Sequence, residues 1–301
     1  MWWFGNRKKN LSMLEEFVYL AEKGTPVGKE FGQFADDKLG KLLTRLVQSY
    51  NRNRIFKDSV SLQREKVVMD AQENIRRKKQ LTQNISHELK TPVSSLNGYL
   101  ETILSNKDMD KEQILYFVER AYGQSGRLTE LLNDLSTITR IEEAPEQIEK
   151  EQCSLSELIA DVVSDIENTL HKDGCTIVCD FPEDMMIMGN RALLQSVFHN
   201  LLENALQYSQ ATRVDVVLLS SDSDTYTFTV RDNGVGVDSK HLPMLFERFY
   251  RVDKGRSRKL GGTGLGLSIV KNAVLLHSGE IRVESIQSGG LAFVFTLGKR
   301  S

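Results

Sequence analysis

The segment with the clearest chemical potential is SHELKTP, which spans residues 86–92 and contains His87. Glu88 lies beside the histidine as a potential proton acceptor, and Thr91 lies one helical turn further on, so it shares the face of His87. Pro92 removes a backbone donor from an otherwise good helical pattern and bends or loosens the turn that carries His87. Taken alone, the histidine is read either as a surface or capping residue or as a reactive imidazole with an acidic neighbour.

A second segment with chemical potential is HNLLENALQYS, residues 199–209, which has the pattern of an amphipathic helix. Asn200 and Asn204 fall on one face of it, although asparagine is a poor helix former. An amide oxygen is a suitable hard ligand for Mg²⁺. The segment therefore predicts a Mg²⁺ ligand at Asn200 with Asn204 nearby, and the alternative is an ordinary polar surface.

The segment RDNGVGV, residues 231–237, follows a predicted strand and has the composition of a ligand-contacting loop. Gly234 and Gly236 permit close backbone approach. Asp232, at the strand end, can accept a hydrogen bond from the exocyclic amine of adenine, which guanine lacks at that position. The segment predicts selection of ATP over GTP, and the alternative is a type I′ turn at Asn233-Gly234.

Two further segments have the composition of phosphate-binding loops. LFERFYRVD (245–253) leads into KGRSRKLGG (254–262), a basic stretch typical of a mobile lid, or else of a solvated loop. In GGTGLGLSIVKNAV (261–274), glycines run into a helix whose first amides can face an anion. This is not a Walker loop, because the Lys-Ser/Thr ending is missing, and no strand leads directly into it as a dinucleotide fingerprint requires.

Together these segments resemble the phosphoacceptor box, N box, first glycine box, F box and second glycine box of two-component sensor histidine kinases, over about residues 75–298. The resemblance implies a protein-histidine kinase that uses ATP and Mg²⁺ to phosphorylate His87 and then transfers the phosphoryl group to an aspartate of a response regulator receiver domain. It implies that Glu88 orients the imidazole and that Thr91 orients a water in a regulator phosphatase reaction. It also implies a Bergerat-type ATP-binding fold.

The resemblance places the nucleotide contacts on residues of the four boxes. They are Asn200, Asn204, Gln207, Tyr208, Asp232, Gly234, Gly236, Arg248, Phe249, Arg251, Gly262, Thr263, Gly264, Leu265 and Gly266, with Asn200 also holding the metal ion. One departure stands out, because the family commonly has Lys or Arg at the position of Gln207, where the side chain meets the phosphates. Arg248, Arg251 and Lys254 could compensate for that loss.

A helical hairpin is predicted around His87. Apolar residues recur every three or four positions through a helix at about 74–103, and again through a helix that follows the polar turn at 105–111 and ends at about 141. One hairpin cannot surround its own apolar stripe, so we expect two chains to form a homodimeric four-helix bundle.

The second half of the chain alternates β-rich runs with helical stretches. The predicted strands are 177–181, 213–220, 226–232, 280–286 and 291–297. The fold class is therefore α followed by α+β, in which the dimerising hairpin bundle precedes an α/β sandwich. The predicted domains are a helical relay (1–54), a coiled-coil signalling helix (55–80), the dimerisation and phosphotransfer domain (81–141), an acidic linker (142–152) and the catalytic domain (153–301).

Composition excludes several classes of protein. The chain has 301 residues, 39 basic against 41 acidic side chains and 40% hydrophobic residues, which excludes a mostly disordered chain and gives no sign of nucleic-acid binding. Three cysteines, Cys153, Cys175 and Cys179, are too few for a disulfide framework. A metal site formed by the last two with His171 is a weaker interpretation than core packing.

The first 54 residues are read as a helix (14–27), a connector and a second helix (36–53). The second helix loosely resembles the second helix of a HAMP signal relay, and the alternative is a generic helical hairpin or a coiled-coil extension. Trp2 and Trp3 precede a basic cluster, as at the inner edge of a membrane-spanning segment. We therefore expect membrane attachment through a segment N-terminal to Met1 and a location on the cytoplasmic side of an inner membrane, the alternative being a soluble cytoplasmic kinase.

Two rival functions follow from the same residues. One is an ATPase or a serine-directed kinase on the same sandwich, which would not need Glu88 and Thr91 beside His87. The other is a catalytically inactive scaffold that dimerises and docks a regulator, for which Gln207 is the single argument.

Overall fold

The structure, a computed structural model, describes residues 2–23, 38–169, 174–253, 262–287 and 289–300. The chain divides into two compact units, residues 1–80 and 81–301. His171 and all of the predicted basic lid except Gly262 lie outside the described residues.

The helices and strands follow one another in an all-helical part and then a mixed part. They are α1 (Trp2–Glu22), α2 (Lys38–Ser105), α3 (Lys111–Glu143), β1 (Glu151–Ser154), α4 (Leu155–Thr169), β2 (Thr176–Asp180), β3 (Met186–Gly189), α5 (Arg191–Tyr208), β4 (Arg213–Ser221), β5 (Thr225–Asp232), α6 (Gly266–Leu276), β6 (Ile281–Ser285) and β7 (Leu291–Gly298). Short 3-10 helices cover Pro145–Gln147 and Ser239–Met244.

In the first unit, α1 packs against the beginning of α2. Phe17 and Val47 are buried between the two helices. The ring of Tyr50 meets Phe17 edge-on at 5.5 Å between centroids, and its hydroxyl donates to the Ala21 carbonyl at 3.2 Å. The predicted first helix began at residue 14, whereas α1 begins at Trp2. The HAMP-like interpretation stays a prediction.

Helix α2 is continuous over 68 residues. The sequence had divided this region into helices at 36–53, 55–80 and 74–103, and the structure joins them because the charged residues between them are themselves good helix formers. The helix continues through Pro92, which is buried.

Helix α3 has clear signals at both ends. The Asp110 side chain caps it by accepting a hydrogen bond from the Gln113 amide at 2.8 Å. It ends at Glu143, two residues before Pro145. Strand β1 begins at Glu151, so the connection between hairpin and sheet is shorter than the linker expected at 142–152.

The main sheet has five strands in the order β2-β4-β5-β7-β6, with β2 parallel to β4 and the other neighbours antiparallel. These are the five strands that the sequence predicts. Strands β1 and β3 pair antiparallel in a separate two-stranded sheet, and the sequence analysis missed both, because four residues are too few to show an alternation.

The core of the second unit lies between the main sheet and the helices α4, α5 and α6. Phe198 of α5 is fully buried and meets Phe228 and Phe295 at 5.6 and 5.7 Å between ring centroids. Asn190 caps α5 by accepting from the Leu193 amide at 3.0 Å. One face of α5 packs in the core, and its polar face therefore points away from the core.

Candidate functional site

A cavity of about 700 Å³ lies between α5, the end of β5 and the beginning of α6. It belongs to the second unit. Nine of the residues expected to contact a nucleotide line it, which are Asn200, Asn204, Tyr208, Asp232, Gly236, Arg251, Thr263, Gly264 and Gly266. The N box, both glycine boxes and the end of the F box therefore meet at one place, although they are far apart in the sequence.

The two asparagines of α5, Asn200 and Asn204, line this cavity. The side-chain nitrogen of Asn200 donates to the Ser196 carbonyl at 2.8 Å, and that of Asn204 donates to the Asn200 carbonyl at 2.7 Å. Gly266 lies so close to the Asn200 amide oxygen that any side chain there would collide with it. Because the amide nitrogens are used by the helix itself, the amide oxygens are the groups that fit a cation.

The described residues include no cluster of three or more histidine, cysteine, aspartate or glutamate side chains that could hold a metal ion. The suggested site at Cys175 and Cys179 stays untested, because its third member, His171, lies outside the described residues. Cys175 is half-buried, whereas Cys179 is exposed, so the expected core packing is wrong for Cys179. A Mg²⁺ ion at Asn200 would depend on an amide oxygen, waters and the ligand's phosphates, which agrees with the preference of this ion for oxygen ligands and retained waters.

Asp232 is buried at the end of β5 and faces the cavity. Its carboxylate accepts from the Gly234 amide at 2.9 Å and the Leu291 amide at 3.3 Å. Burial raises the pKa of Asp232, while the hydrogen bonds from Gly234, Leu291 and the Ser209 hydroxyl oppose that rise. The alternative of a type I′ turn at Asn233-Gly234 is wrong, because neither residue has a positive φ.

The second glycine box and the F box are held together by backbone contacts. Gly264 has a φ of 75°, which favours glycine, and its carbonyl accepts from the Phe249 amide at 2.7 Å. Phe249 itself has a φ of 61°, an unusual value for a bulky residue. Such a conformation persists only where its surroundings impose it, as is common at functional sites.

Gln207 is not among the residues that line the cavity. Its amide nitrogen donates to a carboxylate oxygen of Glu203 at 2.7 Å on the same helix. Of the cations expected to compensate for it, Arg248 forms an ion pair with Glu142, and Lys254 lies outside the described residues. Arg251 is the one that lines the cavity.

Five other expected contacts also lie away from the cavity lining. They are Gly234, Arg248, Phe249, Gly262 and Leu265. Leu265 is fully buried in an apolar cluster with Leu131, Ile138 and Ile269, against which Leu89 and Phe249 pack. This cluster joins the hairpin to the glycine-rich segment within one chain.

His87 is on the solvent side of α2, with 66% of its side chain exposed. Its Nδ1 atom lies 3.9 Å from the nearer oxygen of Glu88, which is longer than a hydrogen bond. The other oxygen of Glu88 accepts from Arg251 at 2.9 Å. The Thr91 hydroxyl donates to the His87 carbonyl at 3.2 Å. The segment that contains His87 and the cavity therefore touch through the pair Glu88–Arg251.

Five acidic residues that line the cavity were not predicted from the sequence, which are Glu130, Asp134, Asp165, Glu203 and Asp253. Glu203 belongs to α5, and Glu130 and Asp134 belong to α3. Burial raises the pKa of Glu130 and of Asp134, and the charge of Glu203 adds to both shifts. Glu203 could have been found, because it lies beside Asn204 in the N box. The two residues of α3 carried no comparable signal.

Comparison with known families agrees with this geometry. Residues 77–144 match the His Kinase A (phospho-acceptor) domain, and residues 189–301 match the domain described as histidine kinase-, DNA gyrase B-, and HSP90-like ATPase. The two matches contain the hairpin with His87 and most of the cavity. Together they define a class of protein in which a phosphoacceptor hairpin precedes an ATP-binding domain.

Individual relatives are sensor kinases. The chain is 34% identical over 216 residues to the phosphate regulon sensor protein PhoR of Pseudomonas aeruginosa, covering 72% of this chain and 49% of PhoR. It is 34% identical over 233 residues to the sensor protein kinase WalK of Staphylococcus saprophyticus, covering 76% of this chain and 38% of WalK. The chain thus spans half or less of the length of these relatives. It belongs to the two-component sensor histidine kinase family.

Solved structures share the fold. The Acinetobacter baumannii histidine kinase AdeS matches with a TM-score of 0.57 and 22% identity, covering 71% of this chain and 98% of that one. Full-length ShkA matches with a TM-score of 0.54 and 24% identity, covering 72% and 45%. In the part of the chain that the structure describes, no helix is long and apolar enough to cross a bilayer.

Proposed function

We propose that the chain transfers the γ-phosphoryl group of ATP to His87 and then to an aspartate of a response regulator receiver domain. The observation that carries the proposal is the contact between Arg251 and Glu88. Arg251 lines the nucleotide cavity, and Glu88 is the neighbour of the exposed His87. A phosphate donor in the cavity and the acceptor imidazole of His87 would therefore lie on either side of the contact between Arg251 and Glu88.

At the adenine end, the proposed role of Asp232 is to accept a hydrogen bond from the exocyclic amine. At the phosphate end, the amides that begin α6 face the anion, and Arg251 supplies a positive charge. Asn200, with Asn204 nearby, would hold Mg²⁺, which supplies charge neutralisation to the phosphates when it is bound. These residues perform positioning and charge stabilisation, the main requirements of phosphoryl transfer.

The acceptor step needs a neutral imidazole with a free lone pair. The exposure of His87 leaves its ring accessible, so a ring nitrogen can form a bond to the γ-phosphorus as the bond from that phosphorus to the bridging oxygen breaks and ADP leaves. Glu88 would stabilise the positive charge that develops on the ring. For this, its carboxylate must turn from Arg251 toward the imidazole, since the two side chains are now 3.9 Å apart.

A regulator phosphatase activity is proposed for the same helix face. Thr91 is exposed one turn from His87, so its hydroxyl is accessible to a docked receiver domain. We expect Thr91→Ala to slow dephosphorylation of the phosphorylated regulator while autophosphorylation persists. Unchanged dephosphorylation in this variant would contradict the proposed role.

A homodimer is supported by apolar residues that the single chain leaves exposed. Four members of the two predicted hairpin stripes remain 42–56% exposed, which are Val93, Leu100, Leu115 and Val118. A second copy would cover them in a four-helix bundle. The cytoplasmic location and the membrane attachment stay predictions.

The experiment that tests the function is incubation with ATP labelled at the γ-phosphate, followed by treatment of the protein with acid and with alkali. A phosphohistidine gives label that acid removes and alkali does not. Acid-stable label would indicate a serine-directed kinase, turnover without label would indicate an ATPase, and neither label nor turnover would indicate the scaffold.

A further inference from the structure

A hairpin residue, Asp134 of α3, reaches into the loops of the nucleotide site. Its carboxylate accepts a hydrogen bond from the Thr263 hydroxyl at 2.8 Å. Thr263 belongs to the second glycine box and is itself buried. The same hydroxyl oxygen accepts from the Leu265 amide at 3.2 Å, next to the beginning of α6. The only proton of this hydroxyl is therefore directed to a carboxylate of the hairpin rather than to the cavity.

The charges around this contact are mainly negative. Glu130, one turn before Asp134 on α3, and Glu203 on α5 also line the cavity. Arg127 on α3 partly offsets Glu130, and His199 lies 3.7 Å from Glu203. The family's cation at position 207 is replaced here by Gln207, which is bound to Glu203.

Among the described residues, Arg251 is the arginine that lines the cavity, and it too is engaged by the hairpin. Its side chain is only 6% exposed and pairs with Glu88, while its Nε atom has no hydrogen-bond partner. Asp134 and Glu88 thus each occupy a hydrogen-bond donor of a residue that lines the cavity. Burial raises the pKa of Asp134, as expected for a carboxylate held against other acidic groups away from water.

We propose that Asp134 is a residue of the nucleotide site, where its carboxylate competes with the phosphates of ATP for the second glycine box. The inference rests on the proposed function, since it assumes that the cavity binds ATP. Docking of the hairpin then weakens the binding of a polyphosphate, and a bound polyphosphate weakens the docking by the same factor, because coupling between two binding events is reciprocal.

The Asp134 carboxylate competes with the charged phosphates of ATP and not with its adenine base. Adenosine carries the same base as ATP but no phosphates, so Asp134 has nothing to repel in it. The two ligands therefore separate an electrostatic effect at the phosphate end from a general opening of the cavity. They also separate the inference from the proposed function, because wild-type protein that binds no ATP would contradict the latter.

The test is titration calorimetry of the whole chain with ATP and with adenosine, both in the presence of Mg²⁺. Asp134→Asn keeps the shape of the side chain and an oxygen for Thr263, but removes the charge. We expect it to tighten ATP binding about tenfold, the equivalent of one pKa unit of charge interaction, and to leave adenosine binding unchanged. Glu119→Gln, at an exposed position of the same helix, is the matched control and should change neither.

The pH dependence of the ATP affinity is a second measurement on the same variant. Protonation of Asp134 removes its charge, so the ATP affinity of the wild type should increase relative to that of Asp134→Asn as the pH falls. An equal gain for ATP and adenosine, an unchanged ATP affinity or a weakened one would each overturn the inference. Asp134→Ser supplies an uncharged second variant if the asparagine variant does not fold.

Discussion

The apolar contact between the hairpin and the catalytic domain can be weakened by a substitution that leaves the core of the main sheet unchanged. Ile138 is 1% exposed and packs with Leu265 and Ile269, in a cluster separate from the core of the sheet. Shortening a buried isoleucine to alanine costs about 2–5 kcal/mol. Because the contact exists only in the docked arrangement, we expect Ile138→Ala to weaken docking by about 2–4 kcal/mol, which is roughly 30- to 1,000-fold in the ratio of docked to released protein.

Hydrogen exchange measured by mass spectrometry reports this release. Peptides from the middle of α3 and from residues 262–270 should exchange faster in Ile138→Ala, while peptides from the main sheet should not change. Leu132→Ala is the control, because Leu132 lies on the same helix and is 49% exposed. Unchanged exchange at both docking peptides would refute the reasoning. Faster exchange throughout the sheet would refute it as well, since Ile138 would then belong to the domain core.

Two further predictions concern buried groups of the catalytic domain. Asp232→Asn should weaken ATP binding about 10- to 100-fold, since a hydrogen bond to a charged group contributes about 1.5–3 kcal/mol, whereas Asp238→Asn on the exposed loop should bind normally in the same titration. His277 is fully buried, with Nε2 accepting from the Asn190 amide at 3.0 Å and Nδ1 against the Ala273 carbonyl at 2.7 Å, and burial lowers its pKa. Since only the unfolded chain readily protonates this ring, the free energy of unfolding should fall by up to about 1.4 kcal/mol per pH unit below about pH 6.5. His277→Gln should lose that part of the slope in denaturant titrations, and an unaltered slope would contradict the assignment.

The local elements were predictable because their patterns are local. The five strands of the main sheet show β-rich runs with turn residues on either side. In α5 the apolar residues fall in pairs on the buried face, and Asn200 and Asn204 lie outside that face. Nine of the residues that line the cavity followed from the same segments, since amide oxygens, glycines and an aspartate at a strand end each have a chemical reason to face a nucleotide.

The contacts between hairpin and catalytic domain were not predictable. Glu88 and Arg251 lie 163 residues apart, and Asp134 and Thr263 lie 129 apart, so no spacing rule joins them. Gln207 illustrates a related limit. The sequence showed that a family cation is missing there, but only the structure shows the amide bound to Glu203 and turned away from the cavity.

The most direct test of the central proposal is transfer of label from γ-labelled ATP to His87→Gln in the presence of Mg²⁺. The substitution removes the acceptor from an exposed position, so the fold and ATP binding should remain intact. We expect acid-labile label to accumulate on the wild type and on a His241→Gln control, whose histidine is not among the residues that line the cavity, but not on His87→Gln. Label of equal amount on His87→Gln would contradict the proposed function of His87, because the phosphoryl group would then reside on another residue.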